Sequence, residues 1–361
     1  MDKRRTRLIL AGFLVAFMII SVQTHGATLE RGAELEAFFD GVFSIQLPAH
    51  NVPGAEIAVI KADEIIFSKG YGFSDLETQT PMLPGTTLHR PGSNSKILVW
   101  TAIMQLMEEG RLDLYTDINT YLDFTIPAET ASGKKLSPIT LHHLMTHTAG
   151  FEDEIAFVMV SKAEQMKSLR DYVQEHLPSR VFSPGFVMAY SNYGTTLAAY
   201  IAELVSGQPF SEYVQEHILE PLEMSSTTFA QPIPEHLATR LSRGYRYEAN
   251  QFIPGGFEYL QSYPAGGLTS TTLDMARLIL AQLNLGLVEP ETASLAEAQE
   301  NEEGLEELEV ATETRLPRRI LQEETAIMMQ KQQFAGHPEI PGMTYGFIET
   351  NYNGHRVLSH G

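Results

Sequence analysis

The stretch Ile97-Leu98-Val99-Trp100-Thr101-Ala102-Ile103-Met104-Gln105-Leu106-Met107 contains no Gly or Pro, and only Thr101 and Gln105 in it are polar. A helix this apolar on every side belongs inside a core, and the rest of the chain has to be built around it. Pro91-Gly92 breaks the chain before it and Gly110 stops it, so the spacing predicts a helix from Ser93 to Gly110. Lys96 stands at the root of this buried helix, one turn after Ser93, and residues three apart share a helix face. Burying an ammonium is costly unless it finds partners or gives up its proton. A desolvated amine beside a serine is a proton acceptor, and the N–H groups at a helix N-terminus favour the anion that results. Ser93 is therefore either a plain N-cap or an activated nucleophile. A second Ser-x-x-Lys, Ser132-Gly133-Lys134-Lys135, runs into Leu136-Ser137-Pro138 with no helix to present it and reads as a loop.

At 361 residues the chain has ample material for a core, as one large domain or two. A net charge of −20 argues against nucleic acid as a partner, because that surface needs a basic face. There is no cysteine, which excludes disulfides and thiolate metal sites. Residues 1–26 read as a targeting segment. Lys3, Arg4, Arg5 and Arg7 precede an apolar run from Leu8 to Val22, and the small residues Gly26 and Ala27 follow. The run is short for a spanning helix, so a cleaved signal is favoured over an uncleaved anchor. Either way residues 27–361 are expected to be exported, to a bacterial periplasm or cell envelope, with membrane contact only through that segment.

Leu29 to Phe43 is patterned as an amphipathic helix. Ala55–Ile60 and Ile65–Ser68, separated by the polar Lys61-Ala62-Asp63-Glu64, read as a hairpin, and Gly70-Tyr71-Gly72 reads as a turn. Residues 93–262 are mostly helical by pattern. In Leu141-His142-His143-Leu144-Met145-Thr146-His147, His143 and His147 fall four apart on one helix face, but no carboxylate lies between them, so structural histidines are favoured over a metal pair. Tyr193 to Ser206 is a helix stopped by Gly207, which puts Tyr190 and Asn192 at its entry. There they serve either a cleft or only packing and capping. Thr272 to Leu283 and Arg319 to Gln330 are helix patterns. Between them, residues 289–317 form an acidic insertion. Glu289 to Glu313 alone holds ten Glu and no Lys or Arg, and such a run reads as disordered. Thr344–Ile348 and Arg356–Leu358 are strand-like, turned by Asn353-Gly354.

The order Ser93-x-x-Lys96, Tyr190-x-Asn192, then His360-Gly361 after a strand resembles the penicillin-recognising serine hydrolases, and within them the class C β-lactamase-like group of D-Ala-D-Ala peptidases and esterases. Met104–Leu112, Leu144–Gly150, Pro264–Leu268 and Asp274–Ala276 match as flanks. The resemblance implies an α+β fold, an α/β sandwich plus an all-helical subdomain, with an antiparallel sheet flanked by helices. Residues 27–92 and 263–361 would form the α/β part, and 93–262 the helical part. It also implies that Ser93 is acylated, that Lys96 is its proton partner, and that Tyr190 relays the proton. Asn192 would orient the substrate amide, while His360 and Gly361 would meet the substrate at the third motif. An unperturbed Tyr titrates near ~10, so its use as a base requires a cationic neighbour such as Lys96. Many relatives carry Lys where His360 stands. A His there changes recognition of a substrate carboxylate and weakens the case for penicillin turnover.

The second oxyanion-hole donor of such enzymes comes from beyond the third motif. Because the sequence stops at Gly361, the resemblance leads one to expect a truncated product whose C-terminal strands and closing helix are missing. Its sheet edges would then be unpaired and its catalysis doubtful. Two functions are expected to compete. The first is a serine hydrolase acting through an acyl-enzyme on a cell-wall peptide, ester or lactam. The second is a non-catalytic binder or sensor of cell-wall peptides or penicillins. No metal or organic cofactor is implied.

Overall fold

The computed structural model describes residues 32–152, 158–288, 318–337 and 339–361. The targeting segment over 1–26 and the acidic insertion over 289–317 lie outside these residues. By internal contacts the chain divides into two units, one within Met1–Pro84 and Arg243–Pro254, the other comprising Gly85–Ser242 and Gly255–Gly361. Both mix helices with antiparallel strands, so the fold class is α+β.

In the first unit a helix over 32–49 accompanies a three-stranded antiparallel sheet, Gly54–Lys61, Glu64–Asp75 and Thr80–Pro81. Aromatic residues one turn apart on the helix stack on the middle strand, Phe39 on Phe67 at 5.4 Å and Phe43 on Tyr71 at 4.4 Å. Beside them Lys69 Nζ reaches Glu36 at 2.6 Å and Asp40 at 2.8 Å, and the Tyr71 hydroxyl donates to Asp40. The Lys61–Glu64 hairpin turn forms where the sequence places it. Gly70-Tyr71-Gly72, expected to be a turn, instead continues the strand. The glycine there answers to crowding: a Cβ on Gly70 would fall 1.9 Å from the carbonyl oxygen of Met82. A short hairpin, Tyr245–Glu248 with Gln251–Pro254, lies inside the stretch read as helical and clusters with this unit, where the Tyr245 hydroxyl accepts the N–H of Leu76.

The second unit is organised around the Ser95–Glu108 helix, in which Leu98, Val99, Trp100, Ile103 and Met104 are fully buried. It packs against the Asn192–Ser206 helix, whose first turn is capped by Ser191 and whose end is marked by Gly207 in the left-handed region. The Thr272–Leu283 helix has the expected bounds, capped by Thr271. Three expectations need correction. The helix placed over Arg319–Gln330 starts only at Glu323. The strand placed over Thr344–Ile348 begins at Ile348, because the chain first turns at Gly346 (φ 102°) beside Trp100. The Leu141–Met145 helix stops short of His147, which has φ 55°, so His143 and His147 do not share a helix face. His143 instead closes a capping box with Thr140, and His142 hydrogen-bonds the Tyr345 hydroxyl at 2.7 Å. The final hairpin, Ile348–Tyr352 with His355–Ser359, forms a two-stranded sheet turned by Asn353-Gly354, both at positive φ as a type I′ turn requires.

Candidate active site

Ser93 sits in a single 3₁₀ turn, Gly92–Asn94, that runs directly into the buried helix. It is not the N-cap: Asn94 holds that position, with no side-chain capping bond. The Ser93 hydroxyl is engaged by Lys96 instead, whose Nζ donates to Ser93 Oγ at 2.9 Å. Lys96 has no exposed surface, and the same Nζ donates to Asn192 Oδ1 at 2.8 Å and to the Ala265 carbonyl at 2.6 Å. Asn192 is the first residue of its helix. Tyr190, two residues earlier, lays its ring 4.7 Å from the Lys96 nitrogen. The ring of His360, just past the end of the last strand, lies 6.1 Å from that of Tyr190. Gly361 follows it, exposed. The structure thus gathers Ser93, Lys96, Tyr190, Asn192 and His360 from three separated stretches, all within the second unit. The second Ser-x-x-Lys lies on a turn, with Lys135 paired to Glu129.

Three contributors were not placed in the site from sequence. The Ala265 carbonyl is one. It belongs to the matching stretch Pro264–Leu268, but a peptide oxygen leaves no side-chain signature. Ser95 is the second: fully buried, it donates to the Gly92 carbonyl at 2.6 Å and accepts the N–H of Leu268 at 3.2 Å, tying that stretch to the turn bearing Ser93. The third is His147, whose ring lies 4.4 Å from Tyr190.

Burial and then the nearby Lys96 charge push His147 down to about 3 and His360 down to about 4, so both rings are neutral at neutral pH. Neither ring nitrogen of His360 has a hydrogen-bond partner of ordinary geometry among the described residues. Chemically this is a serine hydroxyl held by a buried amine, with an amide and a phenol beside it. That arrangement suits removal of a hydroxyl proton and attack on a carbonyl.

The description "Beta-lactamase" matches residues 33–347, a span that includes Ser93, Lys96, Tyr190 and Asn192. Protein flp of Staphylococcus aureus (strain MW2) is 26% identical over 249 residues, covering 68% of this chain and 48% of that protein. The chain thus spans about half the length of the curated relatives it matches. Among solved structures, the octameric penicillin-binding protein homologue from Pyrococcus abyssi superposes with a TM-score of 0.69 at 25% identity, covering 91% of this chain and 67% of that one. The D-amino acid amidase from Ochrobactrum anthropi SV3 shares the fold at a TM-score of 0.66 and 20% identity, covering 91% and 84%. With a family match over most of its length and this fold, the chain belongs to the β-lactamase family of serine hydrolases.

Proposed function

We propose that the protein is an exported serine hydrolase that forms an acyl-enzyme at Ser93 and then hydrolyses it, acting on an amide or ester carbonyl. The observation that carries this reading is the fully buried Lys96 Nζ at 2.9 Å from Ser93 Oγ. In the scheme, the Ser93 proton moves to the Lys96–Tyr190 pair as Oγ attacks the carbonyl carbon. The first N–H groups of a helix have no intrahelical partner, so the turn bearing Ser93 offers donors to the developing oxyanion. The proton then passes to the leaving amine or alcohol, and a water repeats the sequence to release the acid. Asn192, whose oxygen is engaged by Lys96, has its NH₂ left to orient the substrate carbonyl.

Within this class the reading is a D-amino-acid peptidase or carboxylesterase rather than a β-lactamase. What supports it is the neutral His360, which puts no fixed positive charge where a penicillin carboxylate would need one. The likeness to the amidase is in the same direction. Export to the periplasm or envelope rests on the residue pattern of 1–26. Among the described residues no helix is long and apolar enough to cross a membrane, and that segment falls outside them. The test is turnover of small p-nitrophenyl esters and D-amino-acid amides by the wild type and by Ser93→Ala. Turnover that disappears in the variant supports the hydrolase. Tight binding of muropeptides with no turnover or adduct would favour the sensor instead, and cephalosporin hydrolysis rivalling ester hydrolysis would overturn the peptidase or esterase preference.

A further inference from the structure

His147 has no task in the acyl-transfer scheme, yet it is 3% exposed and sits beside the residues that do. It lies beyond the end of the Leu141–Met145 helix with φ 55°, a left-handed conformation uncommon for a non-glycine residue. From that position its carbonyl accepts the N–H of Ala189 at 2.7 Å, and its ring Nδ1 accepts the N–H of Ser191 at 3.3 Å. These are the residues immediately before and after Tyr190. One residue therefore holds the main chain on both sides of the tyrosine. Its ring also covers the Tyr190 ring at 4.4 Å, and the Trp100 ring meets it edge-on at 6.3 Å. Helix packing alone asks for none of this, since any apolar side chain would fill the space. The Nδ1 acceptor and the left-handed backbone hold the chain on either side of Tyr190, and the ring packs against it.

We infer that His147 is a positioning residue that fixes Tyr190 against the Lys96 nitrogen. The inference rests on the acyl-transfer reading above and adds to it the element that sets the phenol. Because Nδ1 accepts a backbone N–H, the ring proton is on Nε2 and the imidazole is neutral. It acts on the reaction through Tyr190 and not on the substrate.

The test compares His147→Gly and His147→Asn, each with Tyr190 intact and with Tyr190→Phe, on p-nitrophenyl ester turnover. Both replacements tolerate the left-handed backbone, but only Asn returns an acceptor near the place of Nδ1. His147→Gly should lower kcat by about 100-fold while KM stays within about 2-fold, the signature of a misplaced catalytic group. His147→Asn should recover to within about 5-fold of wild type. In the Tyr190→Phe background His147→Gly should cost nothing further. If the glycine variant does not fold by thermal melt, His147→Gln, which keeps bulk but moves the acceptor away, takes its place. Full activity of the glycine variant, equal losses in both backgrounds, or a folded His147→Asn as impaired as glycine would each overturn the inference. Should the wild type prove inert toward both esters and D-amino-acid amides, the acyl-transfer reading fails on its own. The positioning is then read from the ¹³Cζ-tyrosine resonance that is missing in Tyr190→Phe. A shift of that resonance in His147→Gly that reverses in His147→Asn supports the contact, and an unmoved resonance overturns it.

Discussion

Two lysines in this chain each lie near a tyrosine ring but differ in the rest of their company. Lys69, on the middle strand of the first unit, has two carboxylates in contact and a tyrosine ring 5.4 Å away. Lys96, on the central helix of the second, has a hydroxyl, an amide oxygen and a peptide carbonyl in contact and a tyrosine ring at 4.7 Å. The carboxylates of Asp40 and then Glu36 raise the pKa of Lys69 and hold it as a cation, and Asp40 is lowered in return by Lys69 and Tyr71. That cluster is solvated and ties a helix to a strand. The three contacts named around Lys96 carry no full charge, Lys96 has no exposed surface, and one of the three is the hydroxyl proposed as the nucleophile. A carboxylate in contact locks a lysine's proton in place, while neutral acceptors in a dry site leave the amine able to exchange it.

The largest expected effect separates the two directly. Lys96→Met should lower kcat/KM for ester hydrolysis by about 1,000-fold or more, the scale of lost proton transfer, whereas Lys69→Met should leave it unchanged. Comparable losses in both variants would break the comparison. Gly70→Ala asks how much of the first unit depends on close packing beside the ion pairs. Its Cβ would press on the Met82 carbonyl, and a loss of about 2–3 kcal/mol is expected in urea unfolding.

Acid sharpens the contrast from the other side. His147 is held near 3 in the fold against about 6.5 unfolded, so its contribution is present above pH 6.5 and lost as pH falls towards 3. Lys96, His360 and Tyr190 face it, and His360, pushed down to about 4, acts in the same direction. From pH 7.5 to pH 5 His147 alone should cost about 2 kcal/mol of stability, measured as a fall in the urea midpoint, and His147→Asn should remove that part. The smallest effect is at Lys69. The melting temperatures of wild type and Lys69→Met should converge as salt is raised, because exposed ion pairs are screened.

Much of the site was legible in the sequence because its parts are side chains on strongly patterned elements. The apolar run after Lys96 announces a buried helix, Gly207 marks the end of the helix entered at Asn192, and the hairpin turn at Asn353-Gly354 carries its own chemistry. What stayed hidden depends on tertiary contact or on backbone atoms. Ala265 acts through its carbonyl, so no residue type betrays it. His147 looked like the second half of an i, i+4 pair because periodicity does not reveal that its helix ends at Met145. Gly70 and Gly72 suggested a turn, when glycine is there because neighbouring backbone comes too close for a side chain. The same limit explains Ser93, whose capping signal was real in pattern but lost to a 3₁₀ turn that hands its hydroxyl to Lys96.

The central claim is that a neutral-acceptor cage around a buried lysine makes Ser93 a nucleophile. It is tested most directly by intact-mass analysis of residues 27–361 after exposure to a fluorophosphonate probe, with a thermal melt to establish folding. The account predicts a single adduct that maps to Ser93 and is absent from Ser93→Ala. A folded protein that takes up no probe, or one labelled equally well in Ser93→Ala, would contradict it.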